Sequence, residues 1–246
     1  MSEKKGLVVS VGKGNARQII QQVAPTIKVQ GQPISVSSGK AVDVVFVIDT
    51  TGSMSDKIQG LLDTCRTFVD KLGNLNLSHR IAVVTFGDLT VPGDDIKLFN
   101  FSEDIQRVRT NLTVIPRYSG GGNEGESSLE ALDRALTLPF RQNAVKVLIL
   151  ITDEPALQHL RTPENVTQTL QGREILTFVV SPPEHYYQEM ARRTGGSWHQ
   201  VSSASDFSGI LDMFNKLAVR VSKVVADVYT IGNGSVTKYL QLKGTE

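Results

Sequence analysis

Residues 44–48, Val-Val-Phe-Val-Ile, are an unbroken apolar run that stops on Asp49. An apolar run without polar alternation is the mark of a strand buried on both faces, which occurs in parallel sheets covered by helices on both sides. Similar runs recur at 81–86, 145–151 and 175–180. Behind Asp49, the residues Ile58, Leu61, Leu62, Cys65, Phe68, Val69 and Leu72 follow at helical spacing. Strands of this kind alternating with helices predict a Rossmann-like, doubly wound α/β fold with a mostly parallel sheet. After Asp49, two hydroxyls follow at alternate positions, Thr51 and Ser53, around Gly52. One carboxylate and two hydroxyls thus gather where a central strand turns into a helix, the place where open α/β sheets bind ligands. Oxygen donors alone suit a hard divalent cation, Mg²⁺ before Ca²⁺ or Mn²⁺.

The sequence Asp49-Thr50-Thr51-Gly52-Ser53 resembles the D-x-S/T-x-S motif of von Willebrand factor type A domains, also called vWA or I domains. The metal-ion-dependent adhesion site (MIDAS) of that family draws on three separate loops: this motif, a Thr after a Gly-rich loop, and an Asp ending a later strand. The resemblance implies the metal ligands Asp49, Thr51, Ser53, Asn123 and Asp153, with Thr50, Met54, Glu124, Glu126 and Glu154 around them as partner contacts. Asn123 stands where the family usually has Thr and can offer a side-chain carbonyl oxygen. Glu126 is an acidic alternative, and either residue can act through water. In such a site the cation keeps an open coordination position, which an Asp or Glu of a partner protein fills. Relatives inside cells often belong to multi-protein assemblies, some with AAA+ ATPases, so the resemblance implies an assembly role.

The glycines at 120, 122 and 125 also satisfy G-x-G-x-x-G, but a dinucleotide site needs a strand directly before that loop, and here a helix and Pro116 precede it. The four histidines stand in no metal-ligand spacing, and there is no H-E-x-x-H or G-x-S-x-G. A Mg²⁺-assisted hydrolase built on Asp49 and Asp153 is the rival reading, but no general base and no phosphate-clamping Arg or Lys is visible beside the motif. A third reading is a structural subunit with a vestigial metal site. A formal net charge of +1 and the lack of a basic run with interleaved aromatics disfavour nucleic acid as partner. The single cysteine, Cys65, excludes a disulfide framework within the chain. No apolar stretch is long enough to span a membrane or to form a signal-peptide core, so the expected location is cytoplasmic.

With 246 residues, 40% of them apolar, the chain suits one α/β domain with extensions. The expected division is an N-terminal extension of strands and a short helix over 1–41, a vWA domain over 42–222, and a C-terminal extension over 223–246. The last reads as a β-hairpin around Gly232-Asn233-Gly234 that pairs with the N-terminal strands as a small β-rich appendage. Ser102 is the expected N-cap of the helix after the strand at 96–101.

Overall fold

The computed structural model describes residues 40–55, 57–60, 68, 77–122, 125–201 and 207–244, with only the backbone at 207–211. All of them belong to the unit Ser37–Glu246. The strands and helix expected within 1–39, and Cys65, lie outside the described residues.

Six strands form one sheet: β1 Ala41–Asp49, β2 Ser78–Phe86, β3 Ile96–Ser102, β4 Ala144–Ile151, β5 Ile175–Ser181 and β6 Trp198–Gln200. Their order is β3-β2-β1-β4-β5-β6, and every pairing is parallel except that of β2 with β3. The one antiparallel strand is the half-buried edge strand that the alternation over 96–101 predicts. β1 is central because all of its residues from Val42 to Asp49 are buried. Its alternate side chains divide between two cores. Val42, Val44, Phe46 and Ile48 pack with Met54, Ile58 and Phe68 and with Phe214, Leu217, Val221 and Val225 of the helix Phe207–Thr230. Val45 and Val47 pack with Leu129 and Leu132 of the helix Ser128–Ala135, and further out lie Leu170 and Met190 of two later helices. Helices therefore cover both faces, as strands without polar alternation require.

The chain runs from β1 outward to β2 and β3, then returns to lay β4 on the other side of β1. The strand order reverses between β1 and β4, so the crevice beyond their carboxyl ends is the topological switch point. The register pairs Ile48 with Ile151 and so brings Asp49 level with Thr152 and close to Asp153.

Two local expectations need correction. The N-cap of the helix Ile105–Thr113 is Asp104, which accepts from the Gln106 N–H at 2.8 Å, while Ser102 accepts from the N–H of Asp104 at 3.1 Å. The C-terminal segment is helical, not a hairpin: the helix Phe207–Thr230 runs on past Ser222, and a second helix spans Val236–Lys243. Asn233 and Gly234 do take the left-handed conformation (φ 52° and 85°) that an Asn-Gly pair favours, but here they join two helices. The deciding signal is helical spacing that continues unbroken through Phe214, Leu217, Val221, Val224, Val225 and Val228. Val228, Val236 and Tyr239 are in the main core, and the Tyr229 hydroxyl bonds both the N–H and the carbonyl of Ala41. Residues 223–239 are thus part of the α/β domain rather than a β-rich appendage to it.

Candidate cation and partner site

Asp49 closes β1 fully buried, and each donor it meets is neutral. Oδ1 accepts from the Thr51 N–H at 3.0 Å and the Thr51 hydroxyl at 2.7 Å, and Oδ2 accepts from the Thr152 hydroxyl at 2.9 Å. Burial pushes this carboxyl up to about 6, against the pull of those three hydrogen bonds. Thr50 faces inward: its N–H donates to the Phe86 carbonyl at 3.0 Å, and its own carbonyl accepts from Tyr118 at 3.1 Å. The chain then makes one 3₁₀ turn, Gly52–Met54, with Gly52 and Ser53 exposed and Met54 buried.

Ser53 donates its hydroxyl to Asp153 Oδ1 at 2.9 Å across the crevice. Asp153 Oδ2 takes a charged partner, the Lys57 ammonium at 3.1 Å, which also donates to the Ser53 carbonyl at 3.0 Å. Lys57 is 2% exposed, a buried lysine one helical turn beyond Ser53. This overturns the expectation that no Lys stands beside the motif. Its signal in the sequence is position: Lys57 falls four residues before Leu61 and eight before Cys65, in line with the apolar stripe.

Asp94 pins the Gly-rich loop beside this turn. It accepts from the Ser119 N–H at 3.0 Å, the Gly120 N–H at 3.0 Å and the Asp88 N–H at 3.2 Å. In the sequence Asp94 reads only as a turn residue after Pro92-Gly93. Gly120 adopts φ 64°, and a Cβ there would lie 2.8 Å from Glu126 Oε1 and 3.3 Å from Thr51 Cγ2. The missing side chain is what lets Glu126 and Thr51 flank the same space. Glu126 itself is held by its backbone: its N–H donates to the Pro155 carbonyl at 2.9 Å, and its carbonyl accepts from Leu157 at 2.9 Å. Its carboxyl is buried, and Oε2 has no hydrogen-bond partner. Burial first, then the charges of Asp49, Asp88, Asp94 and Glu154, push it up to about 8. Burial and Asp153 push the half-buried Glu154 up as well.

The geometry therefore brings Asp49, Thr51, Ser53, Asp153 and Glu126 into one corner, with Glu154 at its edge, and adds Thr152 and Lys57. Asn123 and Glu124 lie outside the described residues. Thr50 and Met54 are corrected: both are 0% exposed, one tied to β2 and one in the core, so neither can meet a partner. Among the described residues no three carboxylate, imidazole or thiol side chains converge as a metal cluster. The donors that do converge are hydroxyls and carboxylates, and they include a buried carboxylate oxygen without a partner. That donor set fits a hard cation.

The sequence profile of the von Willebrand factor type A domain matches residues 43–216. The chain belongs to the von Willebrand factor type A domain family. This vWA domain closes its core with residues beyond the matched span, up to Tyr239. It is also 27% identical over 127 residues to Alpha-protein kinase vwkA of Dictyostelium discoideum. That stretch is 49% of this chain and 20% of the relative, so the chain spans about a fifth of that protein's length. Domains of this family commonly mediate protein–protein interaction. Among the described residues of this vWA domain, no helix is long and apolar enough to cross a membrane.

Proposed function

We propose that this vWA domain is an intracellular protein-binding module that grips an acidic side chain of a partner through a divalent cation, Mg²⁺ or Mn²⁺ before Ca²⁺, at the switch point of its sheet. The residues that would hold the ion are drawn from Asp49, Thr51, Ser53 and Asp153, with Asn123 or Glu126 from the Gly-rich loop. Bound there, the ion supplies a positive charge with an open position for the partner's carboxylate. The observation that carries this reading is the carboxyl of Glu126, buried beside Asp49 with one oxygen unpartnered. Negative charge of that kind is costly unless a proton or a cation balances it. The exposed Ser53 and the half-buried Glu154 stand at the rim, where a partner would arrive.

The reading assigns no catalysis to the site. Lys57 is the one observation that favours a second reading, a subunit whose site is vestigial because an ammonium has replaced the ion. An AAA+ assembly as partner has no support in the relatives found, and the reading does not depend on it. Melting of the purified chain with and without millimolar Mg²⁺ or Mn²⁺ tests the proposal. A ligand bound only by the native state at a hundredfold excess over Kd stabilises by about 2.7 kcal/mol, or roughly 5–10 °C for a chain of this size. The shift should vanish in Asp49→Ala. A wild-type protein that melts identically with and without the ions would leave the vestigial reading standing.

A further inference from the structure

The partners of the carboxylates divide this corner into two unequal halves. Asp153 has both oxygens served, Oδ1 by the Ser53 hydroxyl and Oδ2 by the full positive charge of Lys57. Asp49 has only neutral donors, and Glu126 has an oxygen with no donor. Neither Asp49 nor Glu126 forms an ion pair among the described residues. Thr51 links them, since its hydroxyl bonds Asp49 and its methyl group shares with Glu126 the space that Gly120 leaves open. The carboxylates without a charged partner are thus Asp49, which stands within electrostatic reach of Asp153, and Glu126 on the Gly-rich loop.

We propose that Lys57 permanently fills the Asp153 half of the site with its own positive charge, and that the divalent cation is held by the other half, by Asp49, Thr51 and Glu126. The inference rests on the cation-dependent reading above and narrows it: Asp153 leaves the ligand set, and Glu126 enters it from the Gly-rich loop. Lys57 then acts as a positioning residue. It keeps Ser53 and Asp153 in place whether or not the ion is bound, so the rim that meets a partner stays formed. Asp49 and Glu126 repel each other when both are ionised.

The test uses Mn²⁺ alone as probe, titrated into the full chain and followed by the free-ion EPR signal, with melting recorded alongside. Wild type should bind Mn²⁺. Glu126→Gln, close in shape, should weaken binding more than tenfold while its metal-free melting temperature stays equal or rises, which shows that it folds. The double change Lys57→Met with Asp153→Asn, which removes both charges of the buried pair and leaves none uncompensated, should change binding less than about threefold. Gly120→Ala, which sets a methyl against Glu126 and Thr51, should also weaken binding. Loss of Mn²⁺ in the double variant with binding retained in Glu126→Gln would overturn the inference and leave the cation-dependent function intact. A wild-type chain that takes up no Mn²⁺ would overturn both.

Discussion

Replacing Lys57 by Met keeps most of the side chain's length and removes only its charge and hydrogen bonds. That ammonium donates to Asp153 Oδ2 at 3.1 Å and to the Ser53 carbonyl at 3.0 Å, and both members of the ion pair are buried, with side chains 2% and 0% exposed. Removing one partner of a buried pair leaves an uncompensated charge and costs about 3–5 kcal/mol. For a domain of this size that lowers melting by roughly 6–20 °C, at about 2–4 °C per kcal/mol. The double change Lys57→Met with Asp153→Asn removes both charges and should recover most of the loss, because a neutral replacement of a buried pair is often close to isoenergetic. About 1 kcal/mol should remain, from the Ser53 carbonyl that has lost its donor. Urea unfolding followed by far-UV circular dichroism, with EDTA present so that no ion contributes, gives the stabilities of the wild type, of Lys57→Met and Asp153→Asn singly, and of the double variant. Their coupling should exceed about 2 kcal/mol, well above the roughly 0.5 kcal/mol within which independent sites add. If the single and double changes simply add, or if Lys57→Met costs under about 1 kcal/mol, the ammonium does not pair with Asp153. The division of the site into two halves would then have no basis.

Two further outcomes follow from the same structure. Burial holds Glu126 up to about 8 and Asp49 up to about 6, above their ordinary values of 4.5 and 3.8. Through these two groups the metal-free folded state binds more protons than the unfolded chain, and their contribution to stability should fall as pH rises from about 4 to about 8, then level off. Denaturation at several pH values with EDTA should show that decline, and Glu126→Gln should flatten its upper part. Truncation after Ser222 removes Val224, Val225, Val228, Val236 and Tyr239, all at most 4% exposed. At about 1.5–3 kcal/mol for each buried apolar side chain, the loss matches or exceeds a typical stability of about 5–15 kcal/mol. The truncated chain should fail to give a cooperative melt, whereas a true appendage would come off without effect.

The parts of the fold that could be read from sequence are those where one local pattern has one physical solution. Residues 44–48 allow only a strand buried on both faces, and the run ending on Asp49 marks the strand end that carries the site. Thr162 and Pro163 announce a helix start, and Thr162 does cap it, accepting from the Asn165 N–H at 3.3 Å. What could not be read depends on distant partners. Asn233-Gly234 keeps the same left-handed dihedrals in a hairpin as in a helix–helix corner, so the pair could not choose between them. Asp94 looks like any turn residue until Ser119 and Gly120 meet it from 25 and 26 positions away. Lys57 stands in line with an apolar stripe, which hints at burial, but its partner is set only when the return of β4 beside β1 brings Asp153 against it. The resemblance located Asp49, Thr51, Ser53 and Asp153 by alignment to a motif, but a motif carries no charge balance, and Met54 shows that nearness in sequence is not exposure.

The two ends of β1 treat a buried carboxylate in opposite ways, and the contrast supports placing the proposed cation at one of them. At the amino end, Asp43 is fully buried between two guanidinium groups. Arg80 donates from Nε at 3.0 Å and from its terminal nitrogen at 2.7 Å; Arg141 donates from Nε at 2.8 Å and from its backbone N–H at 2.7 Å. Both oxygens are served by charged donors, so the pair is closed and has nothing left to offer a ligand. At the carboxyl end, Lys57 pairs with Asp153, while among the described residues Asp49 has neutral donors and Glu126 keeps an oxygen with none. Burying a carboxylate without a charged partner costs several kcal/mol, and here that cost is met by holding protons up to about 6 and about 8. A proton so held is exchangeable, and a divalent ion from solution can displace it. The amino end spends its charges on the fold, and at the carboxyl end the described residues leave Asp49 and Glu126 without a charged partner, the place the proposed cation would take.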